Sequence, residues 1–82
     1  DGVWRDFDTD RYEPILKKVE NYKNGLLHGS TIEYDNGFIW QHETYKKGEL
    51  DGPKLYYDDY EIRRIEIYKD GEKISFWNKN YE

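Results

Sequence analysis

Tyr22-Lys23-Asn24-Gly25, Tyr45-Lys46-Lys47-Gly48 and Tyr68-Lys69-Asp70-Gly71 are one tetrapeptide pattern, Tyr-Lys-x-Gly, written three times at an interval of 23 residues. A unit that short cannot bury a hydrophobic core alone, so it must be one supersecondary element whose apolar face is covered by its neighbours. The stretches between the tetrapeptides say which element. Gly29 to Ile39 and Gly52 to Ile62 both alternate apolar and polar residues at period two, the period of a β-strand. In the second unit Asn36-Gly37 lies between two β-rich arms, and Asn-Gly supplies the positive φ angles of a two-residue type I′ hairpin turn. Each unit therefore reads as one hairpin, and the Gly of Tyr-Lys-x-Gly turns the chain into the next.

The ends extend the pattern. Gly2 to Phe7 fits the opening of a unit, with Phe7 where Tyr34 and Tyr57 stand, and its hairpin tip is longer, running from Asp8 to Pro14. Ser75-Phe76-Trp77 reads as the opening of a further unit, with Trp77 at the place of Trp4. The expected architecture is all-β, a single-layer antiparallel meander of tandem β-hairpins with about seven strands, forming one repeat domain over 1–82. Its units are 2–28, 29–51 and 52–74, with a partial fourth at 75–82. Glu13 to Asn21 contains helix formers, but it is short, holds Pro14 and aligns with the return strands Phe38 to Thr44 and Glu61 to Ile67.

Composition narrows the classes of function. Aromatic residues make up 18% of the chain against 35% for all apolar residues, and nine are Tyr, whose ring can be buried while its hydroxyl stays wet. There is no Cys, hence neither a disulfide nor a thiolate metal site. A net charge of -5 speaks against nucleic acid or an anionic membrane as a partner, since both need a basic face. No apolar run has the roughly 20 residues of a membrane-spanning helix. With no Met and with Asp1 first, the chain reads as a fragment or a processed form, and the compartment is left open.

Strict alternation from the Asn36-Gly37 turn pairs Tyr34 with Ile39 and Ile32 with Gln41. It places Ile32, Tyr34, Ile39 and Tyr45 on one side, joined by Leu55, Tyr57, Ile62 and Tyr68 and by Phe7, Leu16 and Tyr22. This repeated side is the structural face. The opposite side carries Trp4, Lys17, Val19, Trp40, His42, Tyr56, Arg63, Ile65, Ile67 and Trp77, and changes from unit to unit. Repeats keep what stacking requires and vary the rest, so the variable side is the expected binding surface. Trp4, Trp40, His42, Tyr56, Arg63 and Trp77 are its candidate partner-binding residues, being of the types that dominate or frame interface energetics.

Gly2 to Phe7 as Gly-x-Trp-x-x-Phe, Tyr34-Asp35-Asn36-Gly37, and Tyr-Lys-x-Gly followed by Gly29 and Gly52 together resemble MORN repeats, closest to the variant found in tandem in bacterial antitoxin-like proteins. The resemblance covers nearly the whole chain. It implies an elongated, twisted sheet of hairpins used for contacts with other macromolecules, not for chemistry. Thr31 and Lys54 stand where the family's opening Trp is expected, and Tyr60 replaces the turn Gly.

Motifs for chemistry are sparse. Asp6-x-Asp8-x-Asp10 resembles the start of a calcium loop, but Arg11 and Lys17 occupy the positions that need Gly and a bidentate Glu. His28 and His42 lack metalloprotease spacing. Ser30 and Ser75 open strands without a nucleophile elbow, and no phosphate loop is present. No catalytic residue, metal site or cofactor is expected. The leading expectation is a non-enzymatic protein-interaction module that neutralises or inhibits a bacterial partner, with the free edge at Phe76 to Tyr81 as a second route to a partner or to self-association. The alternatives are an acidic mimic of nucleic acid that fills a basic cleft, and a structural or surface-repeat spacer.

Overall fold

The computed structural model describes residues 1–8 and 15–79 and, within them, is all-β. The strands are β1 Gly2–Asp8, β2 Ile15–Lys23, β3 Leu26–Asp35, β4 Phe38–Lys46, β5 Glu49–Leu50, β6 Gly52–Asp58, β7 Glu61–Lys69 and β8 Glu72–Asn78. They form one antiparallel sheet in the order β1-β2-β3-β4-β6-β7-β8, with β5 also paired to β4. β5 and β6 are one strand interrupted at Asp51, whose amide still bonds the Thr44 carbonyl at 2.9 Å. No described residue is helical, and Ile15–Lys23 is the return strand of the first hairpin. The longer first tip falls on 9–14, and Asp10 of the acidic run and Tyr81 of the edge also lie outside the described residues.

The turns explain the meander. Asn24-Gly25, Asn36-Gly37, Lys47-Gly48, Asp59-Tyr60 and Asp70-Gly71 are two-residue connections with positive φ at both positions, from +49° to +67° at the non-glycine residues and from +78° to +86° at the glycines. Two positive φ values match the right-handed twist of the flanking strands, and Gly at the second position adopts its value without a Cβ clash. The inter-hairpin turns also bond the preceding loop at the repeat interval: Gly48 N donates to Leu27 O at 2.8 Å and Gly71 N to Leu50 O at 2.9 Å.

Each return strand contains one extra residue. Asp6 pairs with Lys18 but Phe7 with Leu16, Glu33 with Gln41 but Tyr34 with Ile39, and Tyr56 with Arg64 but Tyr57 with Ile62. Lys17, Trp40 and Arg63 are thus the bulged residues, spaced by the repeat interval of 23. A bulge opposes two residues to one and reverses the facing of everything beyond it relative to strict alternation. Ile32 therefore pairs with His42, not with Gln41. The expected faces are corrected accordingly: Val19, His42, Ile65, Ile67 and Trp77 join Ile32 and Leu55, while Tyr22, Tyr45 and Tyr68 move to the side of Trp4 and Tyr56. Trp77 is equivalent to Ile32 and Leu55 in the pairing, not to Trp4.

The molecule measures 41 × 40 × 13 Å, one sheet thick, where a sandwich would add a second layer about 10 Å away. Among the described residues no apolar side chain is buried, and the buried residues are Thr31, Gln41, Glu43 and Glu66.

Candidate functional site

The two sides of the sheet have opposite chemistry. Across the seven main strands, successive pairing partners run Arg5, Val19, Ile32, His42, Leu55, Ile65 and Trp77. One residue away on the other side the row runs Asp6, Lys18, Glu33, Gln41, Tyr56, Arg64 and Asn78. The first row is apolar over most of its length, and Tyr34 with Ile39 and Tyr57 with Ile62 widen it toward the hairpin tips. The second row is polar throughout.

Most of the polar face satisfies itself, the buried Thr31 Oγ1 having no hydrogen-bond partner among the described residues. Glu20, Glu43 and Glu66 each stand two residues before the tetrapeptide Tyr and on the same side of the strand, so the repeated unit is Glu-x-Tyr-Lys-x-Gly. Tyr68 donates its hydroxyl to Glu66 Oε1 at 3.1 Å, and Tyr56 reaches the same oxygen at 3.3 Å. Glu66 Oε2 accepts from Arg64 Nε at 3.0 Å, Arg64 Nη2 at 2.8 Å and Lys73 Nζ at 3.4 Å. Burial alone would raise the Glu66 pKa, but the donors from Arg64, Tyr68 and Lys73 outweigh it and hold the carboxyl down to about 2. Burial and the neighbouring Glu43 push the Tyr45 hydroxyl up to about 12, and burial and Glu20 raise Tyr22 in the same way.

Lys54 bridges the row, 3.3 Å from Glu43 and 5.3 Å above the Tyr56 ring. Burial disfavours its charge, but Tyr56 and Glu43 overcome this and raise its pKa. Lys18 lies 3.8 Å from Glu20 and 3.6 Å from Glu33. Glu20, Glu33, Glu43 and Glu66 on this face are therefore paired with cations in place. Each tetrapeptide Tyr also stands opposite a glycine of positive φ: Tyr22 opposite Gly2, Tyr45 opposite Gly29 and Tyr68 opposite Gly52. An aromatic ring beside a strand glycine supplies the packing that the missing side chain does not.

The six expected partner-binding residues divide between the faces. His42 and Trp77 lie in the apolar row, with Trp77 half exposed on the edge strand β8. Trp40 and Arg63 occupy bulges: Trp40 lines a hollow with Asp6, Lys18 and Glu33 of the polar row, and Arg63 Nη2 is 3.4 Å from Asp58 Oδ2. Trp4 and Tyr56 are on the polar face, Trp4 opposite Glu20 and Tyr56 within the Glu66 network. The sheet thus brings His42 and Trp77 to the apolar side and Trp4 and Tyr56 to the polar side, with Trp40 and Arg63 at the bulges. Leu55 and Ile65, at the centre of the apolar row, were assigned by alternation to opposite faces. His42 Nε2 is shielded and has no hydrogen-bond partner among the described residues.

No group of three or more metal-ligating side chains converges among the described residues. Comparison with protein-family models, with curated proteins and with solved structures finds no match for this chain. The fold and the two faces define its class: an open, single-layer antiparallel meander with one polar, internally paired face and one apolar, uncovered face.

Proposed function

We propose that the chain is a non-enzymatic protein-interaction module that docks a partner protein on its apolar face. The observation that carries this reading is the uncovered apolar row from Val19 to Trp77, in a sheet with no buried apolar side chain among its described residues. A contiguous apolar face with no second layer over it is the kind of surface that marks a docking site. Trp77 is the anchor residue by type and exposure, Leu55 and Ile65 lie next to it in the row, and His42 adds polar definition.

The opposite face supports the assignment from the other side. Its Glu43 and Glu66 are neutralised by Lys54, Arg64 and Lys73. An acidic mimic of nucleic acid needs unpaired carboxylates arrayed on one surface, which this pairing disfavours. The edge strand β8 carries Glu72 and Lys73, and Lys79 follows it, charges that oppose strand addition, so the face is favoured over the edge. The MORN-like repeat pattern adds the finer proposal that docking inhibits or neutralises a bacterial partner.

The test is differential capture by the immobilised chain from a lysate of the source organism, followed by affinity measurement with the captured protein. Trp77→Ala and Leu55→Ala weaken binding by at least about tenfold each, and Glu33→Ala on the polar face changes it little. Equal loss from Glu33→Ala, with binding that falls steeply with salt, would support the acidic-mimic reading instead.

A further inference from the structure

The tips of the second and third hairpins lie side by side, because β4 and β6 pair at Gln41 with Tyr56 and at His42 with Leu55. Toward the tips a cleft of about 280 Å³ opens between them. Phe38, Trp40, Tyr57 and Tyr60 contribute aromatic rings to its lining, and no lysine or arginine is among the lining residues. Asp35, Asp58 and Asp59 supply carboxylates to the same cleft. Asp58 is engaged by Arg63, whereas Asp35 and Asp59 are exposed on the two turns.

Tyr60 is the unusual member. It stands one repeat after Gly37, at the second position of a type I′ turn, with φ of +67° where Gly37 has +86°. A residue with a Cβ is strained there, and Gly is the residue the backbone favours. The ring is 81% exposed, so burial does not hold it in place. It meets Phe38 of the neighbouring tip edge to face, with centroids 5.0 Å apart and planes at 88°. The exchange of Gly for Tyr closes one side of the cleft with an aromatic wall.

Four rings and three carboxylates around a small cavity select one kind of ligand. Ring faces and carboxylates both attract positive charge, and a weakly hydrated organic cation gives up least on leaving water. The volume falls just below the range of pockets for drug-sized molecules and suits a small group or the end of a side chain. We propose that this cleft binds an organic ammonium group, quaternary or methylated, either free or borne on a lysine side chain. The site adjoins the apolar row at Ile39 and Tyr57 but does not depend on the docking reading.

The test is a titration followed by ¹H–¹⁵N NMR, reading the Trp40 indole and the backbone amides of Asp59 and Tyr60. The probes are choline, its uncharged isostere 3,3-dimethylbutan-1-ol, and short peptides carrying lysine or trimethyllysine. Choline is expected to saturate with a Kd of order millimolar and the alcohol to bind at least about tenfold more weakly. Tighter binding of the trimethyllysine peptide than of choline assigns the source to a protein side chain, and the reverse order assigns it to a free ligand. Tyr60→Gly, which relieves the turn and keeps the fold, weakens choline binding at least about fivefold. Ile74→Ala, remote on the edge strand, leaves it unchanged. Equal binding of choline and the alcohol, indifference to Tyr60→Gly, or no shifts up to about 100 mM choline would overturn the proposal and leave the docking reading intact.

Discussion

Ile32 and His42 stand opposite each other on β3 and β4, in the middle of the apolar row. Trp40, the extra residue of the intervening bulge, puts them there. The pairing places an imidazole among aliphatic neighbours, with Leu55 opposite it on the far side.

That environment yields a stability prediction. His42 Nε2 is shielded and unpaired among the described residues, and a shielded polar atom without a partner costs roughly 1–3 kcal/mol. His42→Leu removes the polar atom and keeps much of the volume, so it raises the denaturation midpoint. Chemical denaturation of both proteins measures this, and a clear loss of stability in the variant would contradict the pairing derived for the row.

The turns give a pair of opposite effects. Gly48 has φ of +84°, and a Cβ there meets nothing closer than Leu26 Cδ2 at 3.5 Å, so the cost of a side chain lies in the backbone. Gly48→Val should destabilise the fold by about 1 kcal/mol or more. Tyr60→Gly relieves the same kind of strain at an exposed tip and is expected to be neutral or stabilising by about 0.5–1 kcal/mol, after loss of the Phe38 contact is set against it. Thermal melting of both variants checks the signs. A stable Gly48→Val protein would contradict the turn geometry.

Acid should act through Glu66. Its pKa is lowered to about 2 from an ordinary 4.5, so the folded state keeps the charge where the unfolded chain takes up a proton. The contribution is fully present above the unfolded value and is lost as pH falls from about 4.5 through about 2. Glu66→Gln lowers stability at neutral pH and flattens the decline on acidification. Melting curves of both proteins between neutral pH and pH about 2 measure the difference, and parallel curves would contradict it.

Alkali should act through Tyr45. Its pKa is raised to about 12 from 10.0, so stability is fully present below the unfolded value and is lost as pH rises through the folded one. The ultraviolet ionisation curve of Tyr45→Phe, compared with that of the parent, loses a late-titrating component. Loss of an early component instead would contradict the Tyr45-Glu43 arrangement.

The meander was legible because its signals are local and repeated. Tyr-Lys-x-Gly and Asn36-Gly37 mark turns whose φ angles only a few residues adopt easily, and a fixed interval multiplies weak cues. The bulges were not legible. Lys17, Trp40 and Arg63 share no common side-chain type, and a single extra residue leaves the strand's composition much as before while reversing every side chain beyond it. That is why Trp77 was matched with Trp4 and why Leu55 and Ile65 were assigned to opposite sides. Glu20, Glu43 and Glu66 follow the same interval as the tyrosines and could have been found from it. Their role could not, because it depends on residues brought in by other strands, Lys73 of β8 to Glu66 and Lys54 of β6 to Glu43.

Leu55 and Tyr56 are adjacent in sequence and face opposite sides of β6, which makes them the sharpest probe of where a partner docks. A photoreactive benzoylphenylalanine is placed at one position or the other, and the protein is irradiated in a lysate of the source organism. A covalent adduct of one defined size from position 55 and none from position 56 is the expected result. Adducts from position 56 alone would contradict docking on the apolar face.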